Sequence, residues 1–584
     1  MKWIINETPA WKRRIYSKKF NISSPLAKTL INRNITLREY DKLNKAPEEY
    51  LENPRSLPNA EKVAAHILKL VKEKYEFNIF SDYDVDGLTS GFIMMDYLKS
   101  LNATVRLHYP ERKDGYGISL DFCTDVVKRQ KNTGIKQVVI TTDNGITANK
   151  EMVFLKANKI EAIITDHHEP LKNIPNVLYC DPYADSNGYG FHLAGVAVAW
   201  KICSLINELS NNAGKNPYEY LPYVATGTVA DVMPMTLENI ALIKMGLKII
   251  NKDRPEPFNT IMELNNIKNL TAKDLGWTVG PLLNAASRMG DVWSAGKLFV
   301  TDPTNRNNKD TEIESMNSMV VNLMALNIER KKKTDSITKK AMKQDYSSDH
   351  IIIFNSDNGE EGISGIVANK LMEKYNKPAL VYSGSDKEII SASARSPYGM
   401  DIFNLLDNEV EKNHIKSYGG HIEAFGVKLI NDKINDFHED MNKKIEKALN
   451  AGEIKISEPS LNIDGEIYIE DISKKTLNEI KTIPYDKDKF PEPVFVIKDV
   501  TVTIEQPYSN KEHLVLKCTD KRNNKITLVS WESKYSYSKY VKLGKPTKID
   551  IAGTISDVGF SDKTTGRRAT DVTLVITDIR PASA

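Results

Sequence analysis

The sequence predicts an α/β protein of several domains: a mainly parallel-sheet domain, a long connecting helix, a second α/β domain and a C-terminal β-barrel. Three patterns carry that prediction. Between about Ala60 and Glu238, short apolar runs at residues 77–80, 138–140, 162–164 and 177–179 alternate with amphipathic stretches. Each run is too short for a helix, and the alternation predicts parallel strands with helices on both faces. From 310 to 345, Met316, Met319, Leu323 and Leu326 keep three-and-four spacing, which predicts one long helix with a basic second half. After Pro459 the runs PVFVIKDVTVTI, HLVLKC, KITLVSW and DVTLVITDI are separated by polar turns, as in a small barrel or sandwich.

In order, the boundaries fall as a polar, helix-prone segment at 1–58, the parallel-sheet domain at 59–250 and a helical connector at 251–345. The second α/β domain takes 346–452 and the strand-rich domain 457–584. With 41% hydrophobic and 27% charged residues, a chain of 584 residues suits about three to five globular domains with a large core. The net charge of +3 confines any nucleic-acid site to a local basic patch. Cys123, Cys180, Cys203 and Cys518 are far apart with no metal-ligand spacing, which predicts free thiols in a reducing cytoplasm. MKWIINETPAWKRR offers no apolar signal core, and no window resembles a membrane span, so the expectation is a cytoplasmic protein with no membrane partner.

The sharpest chemical signal is SDYDVDGLTS, where Asp82, Asp84 and Asp86 alternate directly after a predicted strand and Gly87 turns the chain into a helix. Three carboxylates this close repel one another, and a divalent cation relieves that repulsion. An isolated Asp-rich turn is as often a solvated loop, but this one has company. TTDNG places Asp143 after the next run, TDHHEP places Asp166, His167 and His168 after another, and ATGTVADVMP carries Asp231. Polar groups gathered at the carboxyl ends of strands are where open α/β sheets build their sites. Oxygen and imidazole donors without thiolate suit Mn²⁺ or Mg²⁺.

DYDVDG, TTDNG, DHH and GTVADV resemble, in order, the four signature motifs of the DHH phosphoesterases. PERKDGYG, FHLAGVAVAWK, GPLLNAASRMGD, EGISGIVANKL, SASARS and GGHIEAFG resemble the RecJ branch, as do PEPVF and the closing DIRP. That resemblance, from about residue 40 onward, implies a two-metal 5′→3′ exonuclease acting on single-stranded DNA in recombination and repair. It implies one cation on Asp82, Asp84 and Asp143, and a second on Asp86, Asp143, His167 and Asp231, with Asp143 bridging. His168 would polarise the phosphate or assist the leaving group, and Asp166 would orient its neighbours. In the DHH-associated domain, Gly419, Gly420 and His421 would approach the substrate, with His421 on a phosphate oxygen. Ser393 and Arg395, two residues apart on one strand face, suit a terminal phosphate. Arg112 and Arg288 match further phosphate-contacting arginines.

The strand-rich domain resembles an OB-fold. Within it, Trp531 and the basic, tyrosine-containing stretch 533–548 could neutralise phosphates and stack bases. Phe425 stands where the family has a small residue, which predicts a narrower cleft beside His421, and Glu360 stands where relatives often carry histidine. A single-strand-binding protein and a helicase are the expected companions. The competing readings are a DHH phosphodiesterase for short oligonucleotides or cyclic dinucleotides, a pyrophosphatase, and a replication scaffold without catalysis.

Overall fold

The computed structural model describes residues 2–112, 115–170, 173–184, 192–301, 309–357, 361–384, 388–455, 460–485, 490–503, 514–530, 540–541, 545–561 and 568–582. The chain opens with a strand where the sequence suggests only helices. β1 (Lys2–Ile5) carries the apolar pair Ile4–Ile5, whose pairing partner is hundreds of residues downstream and invisible to any local window. Helices Ala10–Phe20, Ser24–Asn32 and Leu37–Lys45 follow, the last opened by a reciprocal cap between Thr36 and Glu39.

The first large sheet contains β2 (Glu76–Ser81), β3 (Thr104–His108), β4 (Gln137–Thr142), β5 (Glu161–Thr165) and β6 (Leu178–Cys180), all parallel in the order β3-β2-β4-β5-β6. β2 and β4 are buried at every position, which is why they read as continuous apolar runs. β3 is an edge strand with alternating exposure, and its TVRLH pattern was too weak to be read as a strand from the sequence. The winding reverses between β2 and β4, so the crevice at their carboxyl ends is a topological switch point. Helices Val85–Ser100, Gly195–Leu209 and Leu221–Ala230 lie almost wholly buried around that crevice. Beneath them, Lys201 is buried with its ammonium 2.6 Å from Glu238 and 2.7 Å from the Glu52 carbonyl, tying the N-terminal segment to this domain.

The long helix runs Lys309–Ala341. Met316, Val320 and Leu323 belong to the first core, and Ala341 to the second domain, so one rigid element carries both. The second sheet holds β7 (Ile352–Asn355), β8 (Ala379–Tyr382), β9 (Ile389–Arg395), β10 (Ile415–His421) and β11 (Ala424–Ile430), in the order β10-β11-β9-β8-β7. Phe425 points away from the cleft. It is buried in this domain's core, edge-on to Phe403 at 5.3 Å, and so does not narrow the cleft as the sequence suggested. Alternation along β11 decides this, because its even neighbours face outward.

At the C-terminus come β12 (Ser460–Ile463), β13 (Gly465–Glu466), β14 (Phe495–Thr503), β15 (Leu514–Thr519), β16 (Lys525–Ser530), β17 (Thr547–Ser561) and β18 (Arg568–Pro581). The order β14-β15-β16-β18-β17, with β17 returning to pair with β14, closes a five-stranded barrel around Phe495, Leu516, Leu528, Ile551 and Leu574. This barrel is not a free appendage. β1 pairs in parallel with β12, Arg33 bridges Asp464 at 3.2 Å, and Trp3 donates to Asp578 at 2.8 Å. Phe490, just before the barrel, enters the core of the first domain. Trp531, Lys534, Lys539 and Lys542 lie outside the described residues, as does Glu360. Among the described residues no helix is long and apolar enough to cross a membrane.

Candidate active site

Asp82 follows β2 directly, and Asp84 caps helix Val85–Ser100 by accepting the backbone N–H groups of Asp86 and Gly87 at 2.9 and 3.1 Å. The turn into this helix is so tight that a Cβ on Gly87 would stand 2.4 Å from the Asp82 carbonyl oxygen. Asp86 therefore points back from the first helical turn. Its two oxygens accept the backbone N–H groups of Gly195 and Val196, at 2.7 and 2.9 Å, from the start of helix Gly195–Leu209. Asp143 follows β4 with φ of 61°, a left-handed conformation that aspartate tolerates better than most residues. Asp166, His167 and His168 follow β5. Asp231 departs from the strand-end reading, since it follows helix Leu221–Ala230.

These groups converge. Asp82, Asp84 and Asp143 each present an oxygen within 4.8 Å of the others, and so do Asp86, His167 and Asp231 with an imidazole nitrogen. Asp143 also groups with His167 and His168. His167 Nε2 lies 3.0 Å from Asp143, 3.6 Å from Asp86 and 3.8 Å from Asp231.

Burial, followed by repulsion from Asp84, pushes the Asp82 carboxyl up to about 8 and that of Asp86 to about 7. Burial and the neighbouring aspartates push Asp143 and Asp231 well above the ordinary range. Asp82 Oδ1 is buried and accepts no hydrogen bond among the described residues. Dry, mutually repelling carboxylates with an uncommitted oxygen and an imidazole fit divalent cations.

His168 is set differently. Its Nδ1 is 2.7 Å from Asp166 Oδ1, which also accepts the backbone N–H of His167 at 2.7 Å, while Asp166 Oδ2 accepts that of Ile146 at 2.9 Å. Burial works against charge on the His168 imidazole, yet the Asp166 bond and surrounding carboxylates hold its pKa up, at about 9. Burial likewise opposes ionisation of Asp166, but His168 and those backbone donors keep its carboxyl below the usual range. Asp166 is thus a clamp on His168, and the Tyr116 hydroxyl stands 3.0 Å from His168 Nε2.

Across the cleft the charge reverses. The Arg112 guanidinium stacks on Tyr83 at 4.2 Å, with Nε 3.3 Å from Ser287 Oγ. Arg288 donates to the Gly362 carbonyl at 2.7 Å. Burial, then the like charges of Arg112, Arg330 and Arg395, pushes its pKa down to about 9. Helix Glu361–Tyr375 approaches through glycines: a Cβ on Gly365 would stand 3.0 Å from Arg395 Nη2 and 3.6 Å from Ser393. In the sheet, Gly419, Gly426 and Ser393 form one cross-strand row, and His421, Ala424 and Arg395 form another. Gly420 has φ of 131°, where a side chain would be strained. The side chain of His421 lies outside the described residues.

Sequence reading missed several supports. Gly195 is required because a Cβ there would stand 2.7 Å from Asp143, and Gly227 because one would stand 2.8 Å from Asp86. Asp181 is buried beyond β6 and pushed up to about 7 by burial and then by Asp166. Arg330, on the long helix, joins the arginine group. Only the glycines left a signal, inside motifs quoted for resemblance alone.

The chain matches the DHH family N-terminal domain over residues 76–228, the DHHA1 domain over 348–447 and the RecJ OB domain over 463–566. This is a RecJ-like protein of the DHH family. The RecJ-like chain is 28% identical over 528 residues to the single-stranded-DNA-specific exonuclease RecJ of Bacillus subtilis, covering 88% of this chain and 64% of that protein. It is 25% identical to the Haemophilus influenzae RecJ, covering 79% and 81%. The fold is shared with Thermus thermophilus RecJ crystallised with Mn²⁺, at TM-score 0.79 and 22% identity, over 100% of this chain and 80% of that one.

Proposed function

We propose that this chain is a two-metal 5′→3′ exonuclease that hydrolyses phosphodiester bonds of single-stranded DNA. The observation that carries the reading is a buried acidic cluster facing an arginine group across one cleft. Asp82, Asp84 and Asp143 would hold one Mn²⁺ or Mg²⁺, and Asp86, Asp143, His167 and Asp231 the other. When bound, such cations neutralise charge developing on the attacked phosphate. Asp86 is kept in place by Gly195 and Val196, so its orientation does not depend on the ligand. His168, aligned by Asp166, presents Nε2 to the cleft as a hydrogen-bond donor for a phosphate or leaving oxygen.

Ser393, Arg395 and Arg112 would grip the terminal phosphate and Arg288 a further one, with Gly419 and Gly420 admitting the backbone and His421 adding a contact. That grip sets the 5′ polarity. The barrel, which resembles nucleic-acid-binding OB-folds, would hold the strand beyond the site. Curated relatives described as single-stranded-DNA-specific exonucleases support the substrate class. A cytoplasmic role beside a single-strand-binding protein and a helicase completes the proposal.

The test is hydrolysis of 5′-labelled single and double strands with Mn²⁺. Release of mononucleotides from the 5′ end of the single strand supports it. Cleavage confined to dinucleotides or cyclic dinucleotides would replace it with the small-substrate reading, and inactivity with the scaffold reading.

A further inference from the structure

A second cationic cavity lies beside the acidic cluster. It encloses about 230 Å³ and is lined by Ala230, Gly276, Asn284, Arg288 and Arg330, among others. Ala230 immediately precedes Asp231, so the cavity adjoins the proposed metal ligands. Arg112, Ser393 and Arg395 do not line it, which separates it from the terminal-phosphate grip.

Arg330 comes from the long helix. Among the described residues its Nε and Nη2 reach only the neutral Asn327 Oδ1, at 3.2 and 2.9 Å. Among the described residues no carboxylate lies within ion-pair distance of Arg288 or Arg330, although both are partly buried. Two partly buried guanidiniums facing one cavity suit an anion, and guanidinium forks suit phosphate. Gly276 also precedes Trp277, which is 77% exposed on a wide π-type turn, Leu275–Val279. Such turns are frequent at functional sites, and an exposed indole can stack a base.

We infer that Arg330 and Arg288 form a second phosphate subsite, which holds the internucleotide phosphate one step to the 3′ side of the scissile one. The inference rests on the exonuclease reading. A strand whose 5′ phosphate lies at Ser393 and Arg395, and whose first linkage lies at the acidic cluster, reaches this cavity with its second linkage. The subsite would keep the strand in register as each nucleotide leaves.

The test is binding, by fluorescence anisotropy in EDTA, of 5′-phosphorylated oligothymidylates carrying one neutral methylphosphonate at successive linkages. For the wild type, neutralising the second linkage is expected to weaken binding about tenfold, and a distal linkage much less. Arg330→Gln is expected to lose about tenfold on the all-phosphate strand and nothing further when the second linkage is neutral. Additive losses at that linkage would overturn the subsite. So would a wild-type scan with no minimum there, which needs no variant to fold. If the wild type neither binds nor cuts these strands, the exonuclease reading itself fails. If it binds and cuts them without that minimum, only the subsite does.

Discussion

Gly195 and Asp143 approach so closely that a single methyl group would collide: a Cβ on Gly195 would stand 2.7 Å from both Cβ and Oδ1 of Asp143. The same glycine donates its N–H to Asp86 at 2.7 Å. Gly195→Ala is therefore expected to displace two proposed metal ligands at once while leaving the helix intact. A loss of roughly 10- to 100-fold in Mn²⁺ affinity is the expected scale for misplaced ligands. Isothermal titration checks it, and unchanged affinity would remove Gly195 from the site.

Asp143 groups with both halves of the acidic cluster. Asp143→Asn is expected to abolish hydrolysis while keeping the protein folded. At alkaline pH, where the cluster ionises, its thermal midpoint in chelator should rise because one repelling charge is gone, and the stabilisation by Mn²⁺ should shrink. A chelated midpoint below wild type would contradict the repulsion argument.

The same carboxylates predict a pH dependence. A carboxyl whose folded pKa is raised stabilises the fold while protonated, and that contribution is lost as pH climbs through the folded value. With Asp82 near 8 and Asp86 near 7, the metal-free protein is expected to lose stability between about pH 4 and 8. Mn²⁺ should flatten the curve. Melting across pH with EDTA or Mn²⁺ is the measurement.

Arg395→Ala should slow cutting of 5′-phosphorylated strands by at least about tenfold more than of 5′-hydroxyl strands, if Ser393 and Arg395 hold a terminal phosphate. Equal losses on the two substrates would make Arg395 a general phosphate contact.

Lys201 and Glu238 form a buried ion pair, at 1% and 6% exposure, 2.6 Å apart. Lys201→Met leaves the buried Glu238 carboxylate without a countercharge, held only by the Glu52 N–H, and is expected to cost about 3–5 kcal/mol. Adding Glu238→Gln should recover much of that in urea unfolding. If the double variant is no more stable than the single, the pair is not what costs the stability.

Much of the acidic site was legible because strand and chemistry coincide: a buried apolar run ends and a carboxylate follows, as at Ser81–Asp82 and Thr142–Asp143. Asp231 was read as a strand-end group like the others, but it stands at the end of a helix, so the residue was right and the reason for it wrong. Arg330 was not legible, because it sits in a basic run, ERKKKTDSITKK, where any of the cations reads as solvated. β1 was not legible either. Its partner is β12, and local periodicity cannot report a pairing between residue 2 and residue 460. Phe425 was misread because the motif gave its place in the chain but not the face of the strand it occupies.

That pairing has a consequence for how the protein is made. Translation at about 5–20 residues per second separates the emergence of β1 from that of β12 by roughly 20–90 s. Throughout that interval Trp3 and Ile5 have no strand to join and Arg33 has no Asp464. The parallel-sheet domain, whose strands all lie between Glu76 and Cys180, can assemble long before then. β1 is thus among the last segments to find its place, and a ribosome stalled before residue 460 holds a nascent chain in which β1 is still unpaired.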